Sequence, residues 1–183
     1  MIDNMYIFYR KEARKMHNFQ KVDFDQMEVN PFKMIGKDWM LVTAGNEEKA
    51  NTMTASWGGV GIMWGKNVAY VFIRDSRFTK EFIDREGRFS LSFPEEKYRK
   101  EMKFLGAVSG RDEDKIAEAG VHVGYYEGVP YIDEGSLIMF CRVMSQTPIK
   151  KEEFTDESID STWYAGGDYH NMYIAEITDI FAR

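Results

Sequence analysis

Residues 51–83 read NTMTASWGGVGIMWGKNVAYVFIRDSRFTKEFI and predict, in turn, a strand, a glycine-rich stretch that loosens the chain, a second strand and a helix. Residues 50–57 alternate small polar and apolar side chains and contain β-branched threonine, which favours a strand. Residues 68–73 are a continuous apolar run, typical of a strand covered on both faces. Helical spacing follows, and we expect Ser76 to cap a helix over residues 76–86.

Four further strands are predicted outward from this stretch. They cover residues 39–44, 88–93, 136–147 and 171–181. Short helices are expected over residues 95–105 and 112–119, the second ending at Gly120, and the acidic residues 150–160 favour an exposed loop. Strands dominate and do not alternate regularly with helices, so the pattern predicts a mainly β barrel or sandwich rather than a doubly wound sheet.

The composition sets limits on the class of protein. The chain has 183 residues, of which 44% are hydrophobic and 15% aromatic, enough for one compact domain with a buried core. The net charge of -6 argues against binding nucleic acid through bulk positive charge. No apolar run approaches the roughly 20 residues that cross a bilayer, and the N-terminus does not resemble a secretory signal. We therefore expect a cytoplasmic protein without nucleic-acid or membrane partners.

The single cysteine and the three histidines argue against several kinds of site. Cys141 cannot form an intrachain disulfide, and no CxxC pair is present for a thiol redox cycle. His17, His122 and His170 lie far apart in the sequence and match no metal-ligand spacing, so no metal site is expected. The sequence also lacks the motifs of Rossmann, P-loop and nucleophile-elbow enzymes.

The sequence divides into an N-terminal extension or helix, residues 1–29, and a domain over residues 30–183. Residues 10–21 carry five basic residues and one acidic residue. This composition would suit a helix on a membrane surface or an anionic partner, but its thin apolar face favours an ordinary solvated segment.

One group of polar residues predicts an anion site. Arg74, Ser76, Arg77 and Thr79 lie where an apolar strand gives way to a helix. Arginine forks and hydroxyls bind phosphate well, and the first N–H groups of a helix lack internal partners. The alternative is a capped helix with two surface arginines.

The small residues of the first strand predict a second feature. Threonine and serine at alternating positions leave room for a flat group to lie against the strand, whose backbone could bond its polar rim. The alternative is a small-residue strand packed under Trp57 and Trp64. Together the two features suit a planar ring system with a phosphate tail.

These residues resemble those of the flavin reductase-like proteins of the FMN-binding split-barrel superfamily. The resemblance covers roughly residues 30–181. Beyond residues 51–83 it includes RFSLSFPEEKYRKEMKFLGAVSGRDEDKIAEAG at 88–120 and GGDYHNMYIAEI at 166–177.

The resemblance implies a six-stranded Greek-key split barrel with short helices, working as a homodimer with FMN, or alternatively FAD, near the subunit interface. The residues expected to line the flavin ring are Asn51, Thr52, Met53, Thr54, Ala55, Ser56 and Trp57, the last four through backbone groups on its polar edge. Arg74, Ser76, Arg77 and Thr79 would hold the phosphate. His170 would lie near the nicotinamide as a catalytic residue, or would be a strand-start histidine bonded to backbone.

The activity implied is an NAD(P)H-dependent flavin reductase, in which nicotinamide passes hydride to flavin N5 and an unknown acceptor takes the electrons. Such chemistry needs no general base from the protein. The alternatives are a flavoredoxin-type electron carrier that does not oxidise NAD(P)H, and a flavin- or haem-binding module without turnover. The resemblance assigns no role to Arg111 or Lys115, and Ser92 replaces a frequent asparagine.

Overall fold

The computed structural model describes residues 19–183, which form a mainly β fold. The strands are β1 (Gln20–Lys21), β2 (Met40–Gly45), β3 (Ala50–Ala55), β4 (Gly58–Met63), β5 (Lys66–Arg74), β6 (Arg88–Pro94), β7 (Val123–Tyr126), β8 (Val129–Ile132), β9 (Gly135–Pro148) and β10 (His170–Ala182). Eight of them form one antiparallel sheet, and β7 and β8 form a separate hairpin.

The order of strands in the sheet explains why it closes into a split barrel. The order is β3-β2-β6-β9-β10-β5-β4, with β1 paired to β10. Strands β3 and β4 lie at opposite ends of this order, yet only Ser56 and Trp57 connect them. Because two residues span only a short distance, the sheet must curl until its ends approach each other. All six predicted strands are present, and the predicted mainly β, split-barrel architecture is confirmed.

The glycine-rich stretch forms strand β4, so the prediction that it loosens the chain is wrong. A Cβ on Gly58 would lie 2.6 Å from the carbonyl oxygen of Tyr70, and one on Gly59 or Gly61 would contact the Tyr70 ring at 3.7 Å. The glycines therefore allow β4 to pair closely with β5 past a large aromatic side chain.

The helices are short and lie between the strands. They are α1 (Pro31–Lys33), which continues into a π-helical turn over Met34–Asp38, α2 (Phe78–Glu86), α3 (Arg99–Ala107), α4 (Lys115–Ala119) and α5 (Ser158–Trp163). Gly120 ends α4 in the left-handed conformation, with φ of 68°, as predicted. The helix predicted over 95–105 begins as a 3-10 turn at Glu96–Tyr98 before α3.

The acidic segment 150–160 is not a simple loop, which corrects the prediction. It contains a 3-10 turn at Lys151–Glu153 and the start of α5. Asp160 holds the segment together, because its carboxylate pairs with Lys151 Nζ at 2.7 Å and accepts from the Tyr169 hydroxyl at 2.5 Å. The predicted exposure holds for most of the segment, but Lys151 and Asp160 pair with each other.

The main core lies between the curled sheet and α2. Strand β5 shows the asymmetry of its two faces: Val71 and Ile73 are fully buried, whereas Tyr70 and Phe72 on the other face are only half-buried. The prediction that both faces are covered therefore holds at Val68 and Ala69, which are fully buried on opposite faces, but not at Tyr70 and Phe72. The uncovered face borders a cavity, as described below.

The predicted N-terminal extension falls largely on residues 1–18, which lie outside the described part of the chain. Its described part holds the strand Gln20–Lys21, which pairs with β10 and whose Lys21 forms an ion pair with Asp179, and then a 3-10 turn at Phe24–Gln26. Among residues 19–183, no helix has the length and apolar character that a transmembrane span requires.

Candidate functional site

A cavity of about 290 Å³, here called the wide cavity, lies where β3, β5 and β10 meet. Its walls include Met53, Thr54, Ala55, Ser56 and Trp57, five of the seven residues predicted to line a flavin ring. The opposite walls are Phe72, Arg74, Arg77, Trp163 and His170. The half-buried side chain of Phe72 thus belongs to this cavity.

The threonine hydroxyls of β3 bond to neighbouring elements of the fold. Thr52 is fully buried, and its hydroxyl lies 2.9 Å from that of Thr43 on β2. The hydroxyl of Thr54 donates to the Met102 carbonyl on α3 at 2.5 Å. The threonines therefore bond β3 to its neighbours, and Thr52 does not line the wide cavity.

A second space of about 80 Å³, here called the narrow cavity, adjoins the wide one. Both cavities are lined by Met53 and Arg77. The narrow cavity also contacts Asn51, Ser76, Thr79, Ser109 and Lys115. The structure therefore brings three of the four predicted phosphate ligands, Ser76, Arg77 and Thr79, to one space.

Two cations border the narrow cavity. Arg77 donates from its guanidinium to the Gly106 carbonyl at 2.9 Å, and the buried Lys115 donates from Nζ to the carbonyls of Leu105 and Val108 at 2.8 and 2.9 Å. The pKa of Lys115 is lowered from 10.5 to about 8, mainly by burial and to a smaller extent by the charge of Arg77. The space thus lies beside two like charges that an anion would stabilise.

The N-terminus of α2 also borders this space. The helix begins at Phe78 with Arg77 as N-cap, whose side chain makes no capping hydrogen bond. Lys80 N–H donates to the Arg77 carbonyl at 3.0 Å, so among the first three N–H groups those of Phe78 and Thr79 have no acceptor within residues 19–183. Those groups remain available as donors to an anion. The predicted Ser76 cap is wrong, because the Ser76 hydroxyl donates instead to Asp168.

Asp168 occupies part of the predicted anion site. Its carboxylate accepts from the Ser76 backbone N–H at 3.0 Å and from the Ser76 hydroxyl at 2.7 Å, and lies 4.0 Å from Arg74. Arg74 donates further to the carbonyls of Asp168 and Trp163. Arg74 therefore lines the wide cavity but not the narrow one.

Asn51 and Thr79 form a buried pair beside the narrow cavity. The amide of Asn51 donates to the Thr79 hydroxyl at 2.8 Å, and both residues are buried. A Cβ on Gly110 would lie 2.0 Å from Asn51 Oδ1. Residue 110 must therefore be glycine for Asn51 to keep this position, and Asn51 belongs to the narrow cavity rather than the wide one.

His170 begins β10, pairs in register with Arg74 and is only 8% exposed. Its Nδ1 lies 2.8 Å from the Tyr164 hydroxyl, and its ring centroid lies 4.9 Å from that of Trp57. The pKa of His170 is lowered from 6.5 to about 4, mainly by burial and to a smaller extent by the charge of Arg74. The imidazole is therefore neutral at neutral pH, and its ring bonds to a tyrosine rather than to backbone.

The structure shows what Arg111 and Ser92 contact, although the sequence assigned neither residue a role. Arg111 donates to the Ser76 carbonyl at 2.9 Å, pairs with Glu81 and lies over the Phe78 ring, so it holds the 109–115 segment against α2. Ser92 is buried, and its hydroxyl accepts from the Ile132 backbone N–H at 3.1 Å. The Ser92 side chain therefore joins β6 to β8 and lines neither cavity.

Sequence reasoning missed Asp168 and Tyr164 and left Lys115 unassigned. Asp168 is a non-glycine residue at φ of 59°, preceded by Gly167 at φ of 74°, and these backbone angles direct its carboxylate toward Ser76. The Gly-Gly-Asp sequence signals a turn, but only the tertiary fold brings it to Arg74. The position of Lys115 at the start of a short helix likewise predicts exposure, not burial.

The comparisons with known proteins agree with this fold. The family model for the flavin reductase like domain matches residues 33–183. Uncharacterized protein YddH of Escherichia coli (strain K12) is 32% identical over 118 residues, which is 62% of this chain and 62% of that protein. The chain thus matches less than two thirds of the length of this relative.

Two solved structures have the same fold. An FMN-binding domain of a flavin reductases-like enzyme from Shewanella baltica has a TM-score of 0.66 at 19% identity, over 90% of this chain and 77% of that one. A flavoredoxin from Methanosarcina acetivorans has a TM-score of 0.62 at 23% identity, over 86% and 75%.

Proposed function

Because this chain belongs to the flavin reductase like domain family, we propose that it binds FMN across the wide and narrow cavities and works as an NAD(P)H-dependent flavin reductase. The ring system lies in the wide cavity and the phosphate in the narrow one. When bound, the flavin supplies the hydride and electron chemistry itself.

The observation that supports this proposal most strongly is that the two cavities lie side by side. They share Met53 and Arg77, and the smaller one, about 80 Å³, lies beside two cations and a helix N-terminus. A ligand with a planar ring and one anionic tail matches this arrangement. An uncharged planar ligand would leave Arg77 and Lys115 close together without a counter-ion.

The residues of the narrow cavity suit a phosphate monoester. Arg77 and Lys115 supply positive charge, Thr79 is held in place by Asn51, and the free N–H groups of α2 add donors. Ser76 can bind the phosphate only after its hydroxyl releases the Asp168 carboxylate, to which it donates in this structure. Arg74 on the wall of the wide cavity would supply positive charge that stabilises negative charge on the flavin ring.

FMN is a better ligand than FAD for this chain. A groove of about 1170 Å³ shares Asn51, Gly110 and Lys115 with the narrow cavity, and the adenylate half of FAD would extend into it. Its walls carry six carboxylates against three cations, Lys49, Arg111 and Lys115. The carboxylates are Glu48, Asp112, Glu113, Asp114, Asp133 and Glu134. This excess of negative charge repels a second phosphate.

The nicotinamide would approach the ring from the mouth of the wide cavity. Trp57 and Trp163 are 36% and 53% exposed there, with ring centroids 5.1 Å apart. Neutral His170 lies beside them. Side chains in this position orient a flat ring and exclude water, and the proposed hydride transfer requires no proton from the protein.

An electron carrier that binds FMN without oxidising NAD(P)H is the second candidate. Trp57 contacts both Trp163 and His170, so the aromatic rings narrow the approach that a nicotinamide would take. The flavoredoxin from Methanosarcina acetivorans has this fold.

We further propose that the chain forms a homodimer over the apolar surface next to the wide cavity. Phe32, Ile62 and Trp64 are 86%, 69% and 57% exposed. A depression lined by Phe32, Gly58 and Val60 also includes Ser56 and Trp57 of the wide cavity. A second copy covering this surface would bury the exposed apolar side chains and enclose the flavin ring.

The decisive assay mixes the purified protein with FMN and NADH or NADPH and follows nicotinamide absorbance. FMN-dependent oxidation supports the reductase, whereas a yellow protein that leaves both nucleotides unchanged supports the electron carrier. A protein that binds no flavin contradicts both. The visible spectrum of the freshly purified protein separates flavin from haem.

A further inference from the structure

Tyr164 contacts His170 but is not one of the residues that line the wide cavity. The tyrosine follows α5 and is 5% exposed, and its hydroxyl oxygen lies 2.8 Å from His170 Nδ1. Its ring stacks on Tyr169 at 4.7 Å and lies under the Arg74 guanidinium at 5.2 Å. These contacts hold the Tyr164 ring in place and thereby fix the direction of its hydroxyl.

The hydrogen bond determines which ring nitrogen of His170 carries the proton. Within residues 19–183, the Tyr164 hydroxyl has Nδ1 as its only hydrogen-bond partner, so the hydroxyl proton is satisfied only if Tyr164 donates. A neutral imidazole that accepts at Nδ1 carries its proton on Nε2. Nε2 has no hydrogen-bond partner in the described part of the chain, and His170 lines the wide cavity.

The surrounding charges keep the imidazole neutral. Arg74 and Arg77 lower the pKa of His170 in addition to burial, while Asp168 raises it, and the balance is about 4. Burial also raises the pKa of Tyr164, so its hydroxyl keeps the proton that it donates. At neutral pH the pair therefore presents one fixed N–H group to the cavity.

We propose that Tyr164 is a positioning residue that holds His170 as a neutral Nε2–H donor, which binds a carbonyl oxygen of the ligand in the wide cavity instead of exchanging a proton. The identity of that ligand rests on the proposed function. The carbonyl belongs either to the flavin ring or to the carboxamide of the nicotinamide, and the experiment distinguishes them.

The first measurement needs no flavin and is independent of the proposed function. Nitrogen-15 NMR of histidine-labelled protein reports the protonation of each ring nitrogen. We expect the wild type to show the neutral Nε2–H form of His170 at pH 6 and above, and Tyr164→Phe to show a mixture of both neutral forms. Tyr169→Phe is the matched control, because its hydroxyl bonds to Asp160 and not to His170.

The second measurement identifies the ligand carbonyl. In Tyr164→Phe the apparent dissociation constant should rise by the inverse of the fraction of His170 that stays in the Nε2–H form, about twofold for an equal mixture. If Tyr164→Phe raises the FMN dissociation constant by this factor, the carbonyl is on the flavin; if it raises the KM for NADH with kcat nearly unchanged, the carbonyl is the carboxamide. His170→Gln keeps a neutral N–H donor and should retain most of the wild-type affinity.

Three results would overturn the inference. The first is an Nδ1–H form, or an imidazolium at pH 6, in the wild type. The second is an unchanged His170 spectrum in Tyr164→Phe. The third is loss of kcat in His170→Gln with a bell-shaped pH profile in the wild type, which would assign proton transfer to His170. If FMN does not bind at all, the NMR result still decides the tautomer while the proposed function fails.

Discussion

Arg77 and Lys115 border the same narrow cavity, and the charge of Arg77 contributes to the lowered pKa of Lys115. Both side chains donate to carbonyls at the end of α3, from Leu105 to Val108. The fold therefore keeps two cations close together at a partly dehydrated site. We interpret this as an anion site formed before the ligand arrives, since neither cation has a carboxylate partner within the described residues.

The first prediction concerns the pH dependence of stability. The pKa of Lys115 is about 8 in the folded protein and 10.5 ordinarily. Between these values the unfolded chain binds more protons, so the free energy of unfolding should rise with pH in the wild type relative to Lys115→Met. The slope should not exceed about 1.4 kcal/mol per pH unit. Urea denaturation from about pH 8 to pH 10 measures it, and parallel profiles for the two proteins would contradict the burial of a charged Lys115.

The second prediction concerns the carboxylate that occupies part of the site. Asp168→Asn keeps the shape and tolerates the positive φ of 59°, but removes the charge that faces Arg74 and Ser76. We expect FMN to bind about twofold to threefold more tightly, with a steeper dependence on salt. Asp160→Asn removes a charge that pairs with Lys151 instead, and serves as the control in the same titration. Weaker FMN binding in Asp168→Asn would show that Asp168 helps the ligand.

The third prediction concerns the close approach at Gly110. In Gly110→Ala the new Cβ would meet Asn51 Oδ1 at 2.0 Å, so the Asn51–Thr79 pair must shift. The free energy of unfolding should fall by about 1–3 kcal/mol, and FMN affinity should fall as well. Gly166→Ala is the matched control, because no atom lies within 4 Å of its Cβ position. Wild-type stability in Gly110→Ala would mean that the loop moves freely and does not fix Asn51.

These contacts show what the sequence could and could not predict. The six main strands follow from local periodicity, because alternating or continuous apolar residues determine burial over short ranges. One wall of the wide cavity, Met53 to Trp57, is a continuous run in and just after one such strand, so the sequence could place these residues together, whereas the opposite walls come mainly from β5, α5 and β10. Asn51 and Thr52 were assigned to the ring, but the pleat of β3 directs Thr52 toward Thr43 and places Asn51 against Thr79.

Contacts between residues that lie far apart in the sequence could not be predicted. Asp168 reaches Ser76 across 92 positions of sequence, and β4 forms because its glycines pass the Tyr70 ring. Neither interaction has a local signature, since glycine pairs and acidic residues are also common in loops. Lys115 was unassigned for the same reason: its burial results from the packing of α4 on α3, which no nearby residue indicates.

The fourth prediction tests the proposed homodimer. Ile62 lies on β4, which is at the end of the strand order, and its side chain is 69% exposed. Sedimentation should show a dimer for the wild type and a monomer for Ile62→Glu, because a buried unpaired carboxylate opposes association. Lys103→Glu, exposed on α3, adds a negative charge elsewhere and should remain dimeric. A monomeric wild type would contradict the proposed homodimer.

The most direct test of the account compares FMN with riboflavin, which has the same ring but no phosphate, by titration of the wild type and Arg77→Ala. We predict that the wild type binds FMN more tightly than riboflavin, and that Arg77→Ala weakens FMN binding by about 1.5–3 kcal/mol and so narrows the difference. Arg85→Ala, at the other end of α2, should behave as the wild type. Equal affinity of the wild type for FMN and riboflavin, or a difference that Arg77→Ala leaves unchanged, would contradict the assignment of the narrow cavity to the phosphate.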